Sequence, residues 1–280
     1  MCIISNCVFL KGCDILYKIT NLKSYKKQYL IKIKGEKTEK EFKISEELLL
    51  EYRLVLGKEL NEKTYISFQK ALDKDLIYQK VLHFALYKQR STYDIIEFLK
   101  RKNVHPDTFK YYLNKLRISK ILDDESYVNN YVLEAFEFKL YGPNKIRYDL
   151  ERKHIKEELI NRAISKIHEE KKLQNIEKLF IKKLQNIKPQ PLTKTINSIK
   201  AFIIKKGYDY QMVETIINSH MNEIQEKSNE LISLEKDLIK ALKKYKDNDY
   251  KNRDKIMAFL LRKGYSYHTI KAKMGEINYE

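Results

Sequence analysis

The chain has 280 residues, 43% of them hydrophobic, with only 7 Gly and 4 Pro. That composition builds cores and long helices, and it argues against a disordered polycation, a β-sandwich or a Gly-rich nucleotide loop. Lys and Arg total 56 against 38 Asp and Glu, a formal charge of +18 spread among Glu residues, so the field favours polyanions, nucleic acid first, without a single polybasic tail.

Cys2, Cys7 and Cys13 lie in the first 13 residues with no C-x-x-C spacing and no neighbouring histidine. This argues against a zinc site or a disulfide framework and fits a reducing cytoplasm. The apolar start from Cys2 to Leu10 is too short to cross a bilayer and lacks a basic flank, so neither membrane contact nor a signal peptide is expected. Residues 1–14 read as a loose extension.

Residues 15–70 read as a small α+β module. Gln28 to Lys34 and Lys40 to Ile44 alternate apolar with polar around Gly35, the pattern of a hairpin. Ser45 then caps a short helix over Glu46 to Leu54, with Glu47 complementing its dipole and Gly57 ending it.

Beyond Asp73 the helical period is almost unbroken, and four stretches repeat: Phe98 to Val104, Asp149 to Ile155, Phe202 to Tyr208 and Phe259 to Tyr265. Each is an apolar helix end, a basic last turn, a residue that tolerates the left-handed conformation, then an apolar residue. Lys102, Lys153, Lys206 and Lys263 hold equivalent places at intervals of 51, 53 and 57 residues. The spacing predicts three-helix repeats over 71–122, 123–172, 173–226 and 227–280. A unit of this size has a thin core, so neighbours must stack. The expected fold is mainly α, with tandem three-helix repeats forming an elongated curved array behind the N-terminal module.

In the first repeat, Asp73 to Gln89 carries the apolar stripe of a first helix. Ser91 and Asp94 form a capping box for a second, on which Ile95, Ile96 and Leu99 face inward. Asn103 ends that helix and Pro106 takes the first position of a third bearing Phe109, Tyr112, Leu113 and Leu116. Asp123-Asp124-Glu125 suits the N-terminus of the next repeat, and Gly142-Pro143 starts its second helix. The third repeat opens near Leu173 and turns at Pro189-Gln190-Pro191; the fourth runs from about Leu231 through Asp249 to Met274.

Three of these segments together resemble the RecX family of recombination regulators: Arg90-Ser91-Thr92-Tyr93-Asp94-Ile95, then Ile121-Leu122-Asp123-Asp124-Glu125-Ser126-Tyr127, then Gly142-Pro143-Asn144-Lys145-Ile146 followed by Leu150, Lys153 and Ile155. The resemblance is strongest over Asp75 to Ile155 and weaker to the C-terminus. A fourth repeat and the N-terminal module resemble the family's longer members. The chain departs from the family pattern at His154, where glycine is usual, at Leu140 and Tyr141, and at the Pro-rich turn of the third repeat. The resemblance implies a non-enzymatic, cytoplasmic monomer, needing no cofactor, that binds the groove of a RecA–single-stranded DNA filament and inhibits RecA activity in recombination and DNA repair. No Walker loop, G-x-S-x-G or H-E-x-x-H pattern suggests catalysis, and the histidines form no metal spacing.

The candidate binding residues are the helix-end cations Lys100, Arg101, Lys102, Arg152, Lys153, Lys205, Lys206, Arg262 and Lys263, with Arg90, Lys145 and Arg147 near helix starts. As a set they make a cationic track for a filament or for DNA phosphates. The same helix-end positions also offset the helix dipole by about 0.3–1 kcal/mol each without any partner. Arg90, Lys145 and Arg147 are unfavourable to the dipole, which favours a functional role, although ion pairs with Asp94 or Asp149 would also account for them. The charge leaves a second possibility, a helix-turn-helix-like DNA-binding regulator acting without RecA.

Overall fold

The computed structural model describes residues 16–26, 28–245 and 250–275. The three cysteines, the extension expected over 1–14 and Asp249 lie outside them. The chain divides into two compact units, Met1–Leu122 and Asp123–Glu280.

In the first unit β1 (Leu16–Tyr25), β2 (Gln28–Lys34), β3 (Glu39–Ile44) and β4 (Glu59–Asn61) form an antiparallel sheet in the order β3-β2-β1-β4. The expected hairpin is β2–β3, pairing Ile31 with Phe42 and Lys34 with Glu39, and its turn closes with the Gly35 N–H on the Thr38 carbonyl at 2.8 Å. Strands β1 and β4 extend it, with a register shift in β1 between Ile19 and Asn21. Ser45 caps α1 (Glu46–Glu51) by accepting from the Leu48 N–H at 3.2 Å. This helix stops short of the expected Leu54. Arg53 takes a φ of 45°, which turns the chain so that Leu54, 1% exposed, enters the core instead of extending the helix.

No Gly or Pro interrupts α2 (Glu62–Tyr87), which starts well before the expected Asp73 because Asn61 caps it, accepting from the Thr64 N–H at 2.8 Å. The boundary expected at residue 70 therefore falls inside a helix. Its first half packs Tyr65, Phe68 and Leu72 on the sheet core of Ile19, Ile31, Ile33 and Ile44. Its second half gives Tyr78, Val81 and Ala85 to a separate core with α3 (Thr92–Arg101) and α4 (Phe109–Ile118). Asp75 sits at the changeover, buried, and accepts the Ser45 N–H at 3.2 Å, tying the two halves through the cap of α1. The capping box is present, with the Ser91 hydroxyl accepting from the Asp94 N–H at 3.2 Å and the Asp94 carboxylate accepting from the Ser91 N–H at 3.1 Å. Pro106 opens a single 3-10 turn, Pro106–Thr108, and α4 follows it instead of beginning there: His105 caps that turn with no side-chain bond, and Phe109 is the first α-helical residue.

The second unit repeats the three-helix theme. α5 (Asp124–Glu137), α6 (Pro143–Glu151) and α7 (Glu157–Ile164) bury Val128, Ala135, Ile146, Leu150 and Ile160. α8 (Glu169–Gln185), α9 (Leu192–Lys205) and α10 (Tyr210–Ser219) bury Ile176, Phe180, Ile199, Ile203 and Val213. α12 (Glu230–Tyr245), α13 (Tyr250–Lys263) and α14 (Tyr267–Gly275) bury Leu234, Leu238, Ile256, Leu260 and Ile270. The third set departs from expectation by a fourth helix, α11 (Met221–Ser228), which adds Ile224 to that core before Asn229, with φ 44°, breaks the chain. The edges expected at 172 and 226 fall within α8 and α11.

Neighbouring triplets join through backbone. Gly142, capping α6, donates its N–H to the Lys206 carbonyl at 2.8 Å, and the Asn144 N–H reaches the Gly207 carbonyl at 3.1 Å. One repeat further on, the Thr193 hydroxyl at the start of α9 donates to the Gly264 carbonyl at 2.7 Å. The end of α9 thus docks on the start of α6, and the end of α13 on the start of α9.

Candidate functional site

The four second helices, α3, α6, α9 and α13, end alike. Asn103, His154, Gly207 and Gly264 take φ of 56°, 51°, 96° and 102°, and the residues after them, Val104, Ile155, Tyr208 and Tyr265, are buried. The left-handed residue reverses the chain so that the next side chain returns to the core, which leaves the preceding basic turn at the surface. His154, where a glycine was expected from the resemblance, adopts the same conformation.

The basic turns split into two kinds of position. Each aligned lysine lies over an aromatic ring: Lys102 is 5.6 Å from the Phe98 centroid, Lys153 5.4 Å from Tyr127, Lys206 4.9 Å from Tyr141 and Lys263 5.1 Å from Phe259. Such contacts contribute about 0.5–1 kcal/mol each at the surface, so these lysines have a structural reason to be cations. Lys206 also donates to the Lys139 carbonyl at 3.4 Å, and burial together with Lys182 holds its pKa below the usual lysine range. Lys263 pairs with Asp237 at 2.9 Å. Burial raises the Asp237 pKa, but the bonds from Lys263 and from the Tyr265 hydroxyl outweigh that and hold it below the usual carboxylate range.

The residue before each lysine points outward. Arg101, Arg152, Lys205 and Arg262 are exposed. Arg101 and Arg262 donate from Nε to their own helix, to the Glu97 carbonyl at 3.3 Å and the Ala258 carbonyl at 3.2 Å, and Arg152 lies 5.8 Å from the Tyr148 ring. These are extended, partly committed cations, available to a partner. Lys100 is tied to Glu97 at 2.8 Å, and that bond raises its pKa.

Two clusters bring the remaining candidates together. Arg90 stacks on Phe84 at 3.9 Å, Phe84 stacks on Phe98 at 4.3 Å and Lys102 lies beyond, so two expected cations enclose one aromatic pair. Lys145 and Arg152 share the half-exposed Tyr148 ring. Lys145 pairs with Asp149 at 2.7 Å, the partner its sequence offered, whereas Arg147 donates to Asn161 at 2.6 Å. Asp123 is a helix cap, accepting from the Glu125 N–H at 3.0 Å and from the Ser126 hydroxyl, which lowers its pKa.

Sequence reasoning passed over Lys188, Lys194, Lys236 and Lys240, which line a cleft with Arg262 and Lys263. They sit in a loop, in a first turn and in mid-helix, outside the helix-end pattern. The i,i+4 pair Lys236 and Lys240, flanking Asp237, was the available signal. Among the described residues no helix is long and apolar enough to cross a membrane, and no group of three or more His, Cys, Asp or Glu is placed to hold a metal ion.

Comparison with known proteins finds similarity to RecX proteins. Residues 123–164 match the model described as the second three-helix domain of RecX, and residues 233–274 the model described as its third. Among curated proteins the chain is similar to the regulatory protein RecX of Oceanobacillus iheyensis, 28% identical over 231 residues, covering 82% of this chain and 85% of that one. It is also similar to the RecX of Bacillus licheniformis, 28% identical over 86% of this chain and 96% of that one, and to the RecX of Streptococcus agalactiae, 26% identical over 92% and 99%. A crystal structure of regulatory protein RecX superposes with a TM-score of 0.59 at 26% identity, covering 72% of this chain and 99% of that one.

Proposed function

We propose that this chain is a member of the RecX family, that it regulates a RecA recombinase by binding along the groove of the RecA–single-stranded DNA filament, and that it inhibits strand exchange. The observation that carries this reading is the recurrence of RecX three-helix domains at residues 123–164 and 233–274 in a chain that aligns with RecX proteins over most of its length. Binding free energy is the whole mechanism. Repeats joined in one chain engage successive sites on a polymer with high effective concentration, and they shift the filament equilibrium only by preferring one of its states. Arg101, Arg152, Lys205 and Arg262 are the outward cations best placed to meet acidic filament surface, and the protein acts as a monomer without catalysis or a cofactor. Purified protein added below the RecA concentration should slow strand exchange by the RecA of the same organism. An unchanged rate over a wide concentration range would remove the proposal.

A further inference from the structure

The second half of α2 and α3 border an open groove of about 470 Å³. Its floor is aromatic, built from Phe84, Tyr87 and Phe98, and its rim is cationic, built from Lys80, Arg90 and Lys102, with no carboxylate in the lining. None of the three cations pairs with a carboxylate among the described residues: Lys80 is exposed, Arg90 donates to the Phe84 carbonyl at 3.4 Å and lies over the Phe84 ring, and Lys102 lies over Phe98. Nearly all of the wall that solvent reaches is carbon, and Tyr87 is 81% exposed. An occupant must therefore bring apolar side chains for the floor and carboxylates for the rim. Phe84 and Phe98 stack on each other at 4.3 Å with Arg90 and Lys102 outside them, so of the three rings Tyr87 alone offers a nucleobase an open face.

The same unit carries a surface of the required kind. Helix α1 and the turn after it expose Leu50, Val55 and Leu56 at 66%, 59% and 65%. Glu46 and Glu51 stand beside them, exposed and paired with no cation among the described residues, whereas Glu47 is held by Lys115 at 2.6 Å. Glu46 and Leu50, four residues apart, share one face of the helix. Glu46 suits the first turn of α1, but Glu51 ends the helix, where a carboxylate opposes the dipole, so its charge has no local reason. In a chain of formal charge +18, this unpaired acidic and apolar ridge complements the α2–α3 groove.

The two surfaces cannot meet within one chain. α1 is fastened to the first half of α2, with the Tyr52 hydroxyl 2.9 Å from the Ser67 hydroxyl, whereas Phe84 in the groove floor lies about 26 Å further along the same unbroken helix at 1.5 Å per residue. A symmetric contact of two grooves would press Lys80, Arg90 and Lys102 of both copies together. Ridge against groove on a second copy meets both constraints, and a contact between two different surfaces repeats head to tail.

We propose that a second copy of this chain places its α1 ridge, through Leu50, Glu46 and Glu51, in the α2–α3 groove, so that copies join head to tail. One ridge in one groove is smaller than a standard protein interface, so the chain stays single in dilute solution and copies join where they are concentrated, as on a shared polymer. The contact requires no RecA and goes beyond the filament reading.

The test is sedimentation velocity of the full chain at rising concentration, with a reductant for the cysteines and nuclease treatment to remove nucleic acid. The wild-type sedimentation coefficient should rise with concentration and fall back as salt is added. Lys80→Glu with Arg90→Glu, or Glu46→Lys with Glu51→Lys, should weaken association about tenfold or more. An equimolar mixture of these two variants, and one chain carrying all four changes, should regain association to within about threefold of wild type, because each ridge then meets a groove of opposite sign. Should either charge-reversed variant lose helical circular dichroism, Tyr87→Ala and Leu50→Ser, uncharged changes at exposed positions, are read instead, each expected to weaken association severalfold. A wild-type coefficient that stays at the single-copy value to the highest concentration reached overturns the proposal. So do charge reversals without effect, no recovery in the mixture and the four-change chain, or unchanged association in both Tyr87→Ala and Leu50→Ser. Binding of oligothymidylate or polyglutamate that the Lys80→Glu and Arg90→Glu variant loses while its self-association is untouched would assign the groove to another occupant. Strand exchange is measured on the same proteins below the concentration at which they associate, so failure of either reading leaves the other standing.

Discussion

Gly142 and Gly207 meet backbone to backbone across two repeats: a Cβ on Gly142 would lie 2.4 Å from the Gly207 carbonyl, and a Cβ on Gly207 would lie 2.3 Å from the Lys145 nitrogen. Gly207 also needs a φ of 96°. Close approach and backbone conformation therefore both demand glycine at this junction.

Substitution by Ala should rank three glycines. Gly207→Ala should destabilise most, by about 2–4 kcal/mol, because backbone must move as well as adopt a strained φ. Gly264→Ala, whose Cβ meets the Thr193 hydroxyl at 2.9 Å, should cost less, since a side chain can rotate away. Gly57→Ala, with open space around it, should lose only about 1–2 kcal/mol of conformational preference. Urea unfolding monitored by circular dichroism checks the order, and a Gly57 variant as damaged as the Gly207 variant would contradict it.

The cap of α3 gives a second expectation. Ser91 is fully buried and bonded to Asp94 in both directions. Ser91→Ala should cost about 1–2 kcal/mol, while Ser91→Asp should retain part of the cap. Equal stability of Ser91→Ala and wild type would show that the box contributes nothing.

His220 should make the second unit's stability depend on pH. Its two ring nitrogens lie 2.8 Å from Glu177 and 2.8 Å from Glu223, and the ring packs 4.7 Å from Phe180. The bond to Glu223 raises its pKa, burial opposes this, and Glu177 adds to the rise. A raised folded-state value means the contribution is complete below the unfolded value near pH 6.5 and disappears as pH climbs through the higher folded value. His220→Gln should flatten stability across that window. An NMR titration placing the His220 midpoint below 6.5 would contradict the assignment.

Much of this organisation was legible in residue spacing. The four left-handed positions follow from one recurring motif, and the Ser91 cap from its own chemistry. What escaped were features set by distant partners. Phe98 and Phe259 stand four residues before Lys102 and Lys263 and were readable, but Tyr127 and Tyr141 reach Lys153 and Lys206 from elsewhere in the fold. The short β4 carries too few residues to show alternation, and it exists because β1 offers an edge. The continuity of α2 was hidden because its apolar residues serve one core and then another, so no single stripe runs its length.

The division of the helix ends makes a further prediction. Arg101→Glu, Arg152→Glu and Arg262→Glu combined should weaken filament binding at least tenfold with stability changed by less than about 1 kcal/mol, as surface charges without tight partners usually behave. Lys102→Ala and Lys153→Ala should instead lower stability by about 0.5–1 kcal/mol each, because the cation no longer lies over its ring, and leave binding nearly intact. Binding weakened equally by the lysine set would show that the ring-bound cations also face the partner.

Action on a recombinase filament is tested most directly by the rate of ATP hydrolysis by RecA on single-stranded DNA. With this protein present below the RecA concentration, hydrolysis should fall progressively while the same DNA alone elicits no hydrolysis from the protein. A rate that stays constant up to and beyond equimolar protein would contradict it.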